Sequence, residues 1–313
     1  MVFDRVFVIY FFVALLGLQM IESLRVVVIG DSVDRYMVEA WCVANNGTLV
    51  TEANLRTDFS ENNGTLAFLR HRFRDLTFRH NAWEFRVCQA PLMRTNVSFV
   101  MNKCGVSTNG PFWTPIRTTK GIETELETSK SVKETLQISL GPALHALSHA
   151  KVLGGAPDAV ILQSAFWDLG RLKDTLVPYG RSPQGQPQLG RWVRGWLANA
   201  TMLMAAVQEE VFATAYFWRE ATVFGIAAGE WNNKQAHAAL VQMRKVISPY
   251  TEKRGYTFVP VVSKVSGSHQ RRDLLHPSPT AALQMFAFAL QFVKNHLKNK
   301  RESLVRFASE GGH

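Results

Sequence analysis

The chain has 313 residues, 47% of them hydrophobic, enough to bury a large core, and α/β folds of this size commonly form one domain. Its 35 basic and 25 acidic residues give a net charge of +10 and a pI near 9.7, which favours anionic surfaces such as acidic glycans or phospholipid headgroups. The charge comes without a nucleic-acid-binding module, a zinc-ligand spacing or a phosphate-binding glycine loop, so neither nucleic acid nor a cofactor is expected.

Arg5 precedes an apolar stretch from Val6 to Met20, shorter than the ~20 residues that comfortably span a bilayer, and residues 1–23 read as an export signal. Leu18 to Ser23 lacks a small-x-small cleavage pair, so an uncleaved anchor, and with it membrane association, stays open. The expected location is the secretory pathway, extracellular or in the Golgi lumen. Sequons at Asn46, Asn63, Asn96 and Asn199 agree with export, three of them in a polar, loop-like region. In an oxidising compartment Cys42, Cys88 and Cys104 allow one disulfide; the pairing is open, with a bridge that involves Cys42 favoured.

Five runs have buried-strand character: Leu24 to Ile29, Trp83 to Cys88, Asp158 to Gln163, Ala213 to Trp218 and Tyr256 to Val262. Helical patterns cover Asp34 to Val43, Gly141 to Leu153, Gly190 to Glu210, Asn232 to Lys253 and Thr280 to Lys298. This alternation indicates a mainly parallel five-stranded sheet with helices on both faces, one domain over residues 24–300, followed by a basic, flexible tail at 301–313. Loops are expected at Gly105 to Lys133, Pro178 to Gly190 and Ser263 to Leu275.

Two segments carry chemistry. The β-branched run Val26 to Ile29 ends in Gly30-Asp31-Ser32 and passes into a helix, which holds a serine at the carboxyl end of a buried strand beside free helix N–H groups. Near the other end, Asp273-Leu274-Leu275-His276 places a carboxylate three residues before an imidazole, close enough to orient its ring. Ser32, His276 and Asp273 together make one candidate triad: nucleophile, general base, and orienting carboxylate. Asp31 reads as a cap or brace of the same turn. His145 and His149 stand at helical spacing, but without a third ligand no metal site is expected.

The two segments resemble the SGNH (GDSL) hydrolase superfamily, whose first block carries Gly-Asp-Ser and whose last reads Asp-x-x-His. Gly30-Asp31-Ser32-Val33-Asp34-Arg35 with the following Cys42, then Gln163 to Leu169 with Trp167-Asp168-Leu169, then Phe217-Trp218-Arg219-Glu220, are similar in order to the PC-esterase branch that includes trichome-birefringence-like acyltransferases. The resemblance implies a flavodoxin-like three-layer α/β/α sandwich. It also implies a serine esterase or O-acyltransferase acting on acyl, chiefly acetyl, esters of a carbohydrate or glycoconjugate. The third-block asparagine that donates to an oxyanion has no counterpart in Ser164 to Asp168, and Gly105 or Gly110 stands for the second-block glycine. Arg35 reads as a brace for the Trp167-Asp168 loop, a contact for an anionic substrate group, or a surface ion pair. Trp167 and Trp218 are candidates to stack on sugar rings, with core packing the alternative. The competing reading is a non-catalytic glycan-binding protein on the same fold.

Overall fold

A computed structural model of the chain describes residues 23–51, 85–101, 112–118, 121–127, 156–165, 168–169, 172, 188–222, 233–265 and 276–310. Strand β1 (Leu24–Gly30) lies at the centre of the main sheet and is buried on both faces, which is why its sequence runs β-branched without alternation. It pairs in parallel with β4 (Thr95–Met101) on one side and β7 (Ala159–Leu162) on the other, and β8 (Ala215–Arg219) and β9 (Tyr256–Val259) extend the parallel set. Beyond β4 the sheet turns antiparallel through β3 (Phe85–Ala90) to β2 (Thr48–Thr51), giving seven strands in the order β2-β3-β4-β1-β7-β8-β9.

Among the described residues, two long helices cover each face. Helix α1 (Ser32–Ala44) and helix α5 (Pro279–Glu310) cover one face, where Met37, Trp41, Met285 and Phe286 pack against Val26, Val28, Phe99 and Phe217. Helices α2 (Leu189–Glu210) and α3 (Asn233–Lys253) cover the other, burying Trp192, Trp196, Leu203 and Met243 against Val27, Ile29, Val160 and Leu162. The fold is thus a three-layer α/β/α sandwich on a mostly parallel sheet. A short helix, α4 (Val261–Lys264), follows β9.

The structure departs from the sequence expectations in three places. Among the described residues the main sheet has seven strands rather than five; Phe85–Ala90 of the run expected from Trp83 to Cys88 is antiparallel, and the parallel strand between it and β1 is β4, read from sequence as polar loop. The segment Phe112–Thr118 and Gly121–Glu127 forms an antiparallel hairpin, β5 and β6, where a loop was expected. Residues 301–310, expected as a separate tail, continue α5 as helix. The helical pattern at 141–153 and most of the 178–190 and 263–275 loops lie outside the described residues.

Cys42 on α1 and Cys88 on β3 form a disulfide. Gly47, in the connection to β2, is required there by close approach: a Cβ would stand 2.8 Å from Cys42 Sγ and 2.9 Å from Cys88 Sγ. Of the sequons, Asn46 is exposed just after α1, whereas Asn96 is half-buried within β4 and Asn199 is buried in α2; Asn63 lies outside the described residues.

Candidate active site

The turn from β1 into α1 explains why Ser32 points where it does. Asp31 is the N-cap of α1: its carboxyl accepts the Val33 N–H at 2.8 Å and also the Asp34 amide, while Asp34 Oδ2 accepts the Asp31 N–H at 3.2 Å, a reciprocal capping box. Asp31 thereby occupies the second and third amides of the helix. The first amide, on Ser32, is not among those that Asp31 caps, and it lies at the positive end of the helix. Gly30 is glycine because Asp34 lies across it; a Cβ there would meet Asp34 Oδ2 at 2.1 Å.

His276 arrives from the other end of the chain. It precedes Pro277-Ser278-Pro279, in which Ser278 Oγ accepts the Ala281 N–H at 3.1 Å and Pro279 opens α5, so a stiff, capped segment sets its position. Its Nε2 stands 3.0 Å from Ser32 Oγ. The Tyr36 ring, one turn beyond Ser32, packs on the imidazole with centroids 4.5 Å apart. From Tyr36 and Pro277 an apolar groove of about 440 Å³ runs between α1 and α5, walled by Ala40, Val43, Thr280 and Leu283. Its acidic member, Glu39, is held by Arg86 at 2.6 Å and faces Arg35 at 3.8 Å.

Beneath the turn lies a buried polar network that the sequence reading missed. Arg219, at the end of β8, grips Asp34 with both arms, Nε to Oδ1 at 2.6 Å and Nη2 to Oδ2 at 2.9 Å, and donates through Nη1 to Glu220 O and Thr222 Oγ1. With its amide oriented to satisfy both atoms, Gln163, at the end of β7, donates to Asp31 Oδ2 at 2.6 Å and Asp34 Oδ2 at 3.2 Å and accepts from the Ala165 N–H at 3.2 Å. The Glu220 carboxylate accepts the Val262 and Ser263 N–H groups of α4, at 2.8 and 3.3 Å. The carboxyl ends of β1, β7, β8 and β9 are thereby tied together under Ser32. Burial opposes the Arg219 cation, but Asp34, with Asp31 and Glu220 behind it, outweighs that and holds its pKa above the ordinary arginine value.

The other candidates divide. The Arg35 guanidinium lies 4.9 Å from the Tyr36 ring and 3.8 Å from Glu39, its side chain mostly buried. Asp168 is fully buried, and its carboxylate accepts from Ser164 Oγ at 2.8 Å and Trp196 Nε1 at 3.2 Å, bracing the end of β7. Trp218 is core, buried in β8 and edge-on to Trp196, and has no face free for a sugar. Asp273, Gly105, Gly110, Trp167, Cys104, His145 and His149 lie outside the described residues. Among the described residues, no group of three or more His, Cys, Asp or Glu side chains is placed to hold a metal ion.

Fold and site define an α/β sandwich domain with a serine–histidine pair at the carboxyl edge of its central strand, the edge where open sheets of this class bind ligands. No family model matches the sequence, and no curated protein matches it. Among solved structures, it is similar to an acetyl-xylooligosaccharide esterase mutant from Geobacillus stearmophilus, at 12% identity over 87% of this chain and 94% of that one, TM-score 0.37. It is also similar to the acetyl xylan esterase AlAXEase, at 7% identity over 86% and 100%, TM-score 0.39. A family two carbohydrate esterase from Clostridium thermocellum, solved with cellohexaose, aligns at 12% identity over 88% of this chain and 65% of its own, TM-score 0.37.

Proposed function

We propose that this chain is a serine esterase or O-acyltransferase of the secretory pathway, of the PC-esterase type, acting on acyl esters, chiefly acetyl, of a carbohydrate or glycoconjugate. The observation that carries the chemistry is the 3.0 Å approach of His276 Nε2 to Ser32 Oγ. Nε2 takes the hydroxyl proton as Oγ attacks the ester carbonyl; the C–O bond to the alcohol breaks, and the imidazolium returns its proton to the leaving oxygen. Asp273 is assigned to steady the imidazolium, and the Ser32 N–H to receive the oxyanion. Water or a sugar hydroxyl then takes the acyl group from Ser32, the first giving hydrolysis and the second transfer. The carbohydrate assignment rests on the ordered sequence blocks, and the groove beside His276 offers space for one arm of the ester.

The test is labelling of purified protein by a fluorophosphonate probe together with hydrolysis of aryl acetates. Ser32→Ala should abolish labelling and lower turnover by ~10⁶-fold, the scale on which serine hydrolases lose rate when the nucleophile is removed. A second reading, a glycan-binding protein without activity, is favoured by one feature: the third-block position holds Ser164 in place of an asparagine, and its hydroxyl is given to Asp168. Folded wild-type protein that neither labels nor turns over would establish that reading instead.

A further inference from the structure

The groove that starts at Tyr36 and Pro277 is larger than an acetyl group requires. Its volume, about 440 Å³, lies in the range of sites that take a whole small molecule, whereas an acetyl ester brings a single methyl on its acyl side. The sequence makes the room: Tyr36, Ala40 and Val43 recur along one face of α1, and the small Ala40 leaves space between the two larger side chains, with Leu283 of α5 as the facing wall. From Tyr36 to Val43 the helix advances about 10 Å, which an extended octyl chain of ~1.5 Å carbon–carbon bonds can follow. Val43, at the far end, is 71% exposed, so the groove is open to solvent away from Ser32.

Position selects the arm of the ester that fills it. His276 Nε2 returns its proton to the oxygen that leaves, so the leaving alcohol lies on the imidazole's side of the acyl carbon. The groove opens on that side, since Tyr36 packs on the imidazole with centroids 4.5 Å apart and Pro277 follows His276 directly. Chemistry selects the class. Glu39 is the charged member of the described lining, and Arg86 at 2.6 Å and Arg35 at 3.8 Å already answer its charge, so the groove does not call for a cation. The side chains of Ala40, Val43, Pro277 and Leu283 offer no hydrogen-bond partner, and sugar hydroxyls laid along them would lose water without replacement. A hydrocarbon gains by the same burial. We infer that the groove is the subsite for the alcohol arm of the ester and that it takes an alkyl or aryl group carried by that alcohol, as in the apolar aglycone of a glycoconjugate. This rests on the esterase reading above and narrows its substrate class, with the acetyl group lying outside the groove.

Binding and turnover test this separately. The full chain carrying Ser32→Ala is titrated in a calorimeter with octyl glucoside, below its micellar concentration, and with methyl glucoside. The octyl compound should bind at least about tenfold more tightly, each fully buried methylene being worth about fourfold. Ala40→Phe, which fills the groove, and Leu283→Asp, which makes its wall polar, should each remove most of that advantage when added to Ser32→Ala. Turnover by wild type is then compared along two series, alkyl acetates from ethyl to octyl and ethyl esters from acetate to octanoate. kcat/KM should climb with the length of the alcohol arm and not with that of the acyl arm. Equal affinity for the two glucosides, or an octyl advantage that both groove variants retain, would overturn the inference. A rise with acyl length alone would overturn it too, by giving the groove to the acyl chain. Octyl binding that both variants abolish, in a wild type that turns over no ester, would sustain the groove as an apolar glycoside site and overturn the esterase reading instead.

Discussion

Asp31 is buried one residue before the proposed nucleophile. Burial, and then the Asp34 charge, push its pKa up to about 7, against the lowering pull of Arg219 and the first-turn amides. Because the folded value exceeds the unfolded one, this group adds stability that is full below about pH 4 and is lost as pH rises through about 7. Asp31→Asn keeps a side-chain oxygen for the cap and removes the titration. The melting temperature of wild type should therefore fall relative to that of Asp31→Asn from pH 4 to pH 7, opening a gap within a ceiling on the order of 4 kcal/mol. A gap that stays constant over that range would show that Asp31 is already ionised in the folded protein at acid pH. Arg219 makes the complementary case. Arg219→Met leaves the Asp34 carboxylate buried without its cation and should cost about 3–5 kcal/mol in urea unfolding. Arg219→Lys, which restores charge but not the two-armed grip, should recover only part. Equal stability of wild type and Arg219→Met would mean that the pair contributes nothing net.

At the scale of elements, β1 and α1 were legible because their signals are local: a β-branched run, then a cap residue, then an apolar period of a helix. β4 was not. Thr95-Asn96-Val97-Ser98 alternates polar and apolar residues and contains a sequon, yet Thr95 and Ser98 are buried, because a central strand covered on both faces takes its small polar residues inside. The Ser32 and His276 pair was legible from two short motifs. Asp34, Gln163, Arg219 and Glu220 were legible only as members of separate motif blocks and not as one network, since they come from the first turn of α1 and the ends of β7 and β8, and only the tertiary fold says which ends meet. The disulfide likewise needed the fold to choose Cys88, by laying β3 beside the end of α1. Closing a separation of 46 residues, it should stabilise by about 4 kcal/mol on a chain-entropy account, of which measured bridges commonly return 2–4. Cys42→Ala/Cys88→Ala should accordingly lower the unfolding free energy in urea by about 2–4 kcal/mol and the midpoint with it, and an unmoved midpoint would show that the bridge constrains nothing the core does not already fix.

At the scale of the whole molecule, the proposed pair joins side chains 244 positions apart in sequence, and the join is made by one helix interface. Ser32 opens α1 and His276 precedes α5; both helices lie on the same face, with Trp41 edge-on to Phe286 at 5.8 Å. Neither helix reaches the other through the sheet, so the spacing of hydroxyl and imidazole is set by how α5 seats on α1. Phe286→Ala should cost about 3–5 kcal/mol, as large-to-small changes in a close-packed core do. It should also let α5 settle differently and lower kcat on an aryl acetate by more than tenfold, because a small misplacement of a base from its nucleophile is expensive in rate. Leu203→Ala separates the two effects. It opens a comparable cavity on the opposite layer, where α2 contacts the sheet but neither member of the pair. At a temperature where both variants are folded by circular dichroism, Leu203→Ala should retain nearly wild-type kcat while Phe286→Ala does not. Equal kcat losses would refer the effect to overall stability, and the α1–α5 seat would then have no separate part in aligning Ser32 with His276.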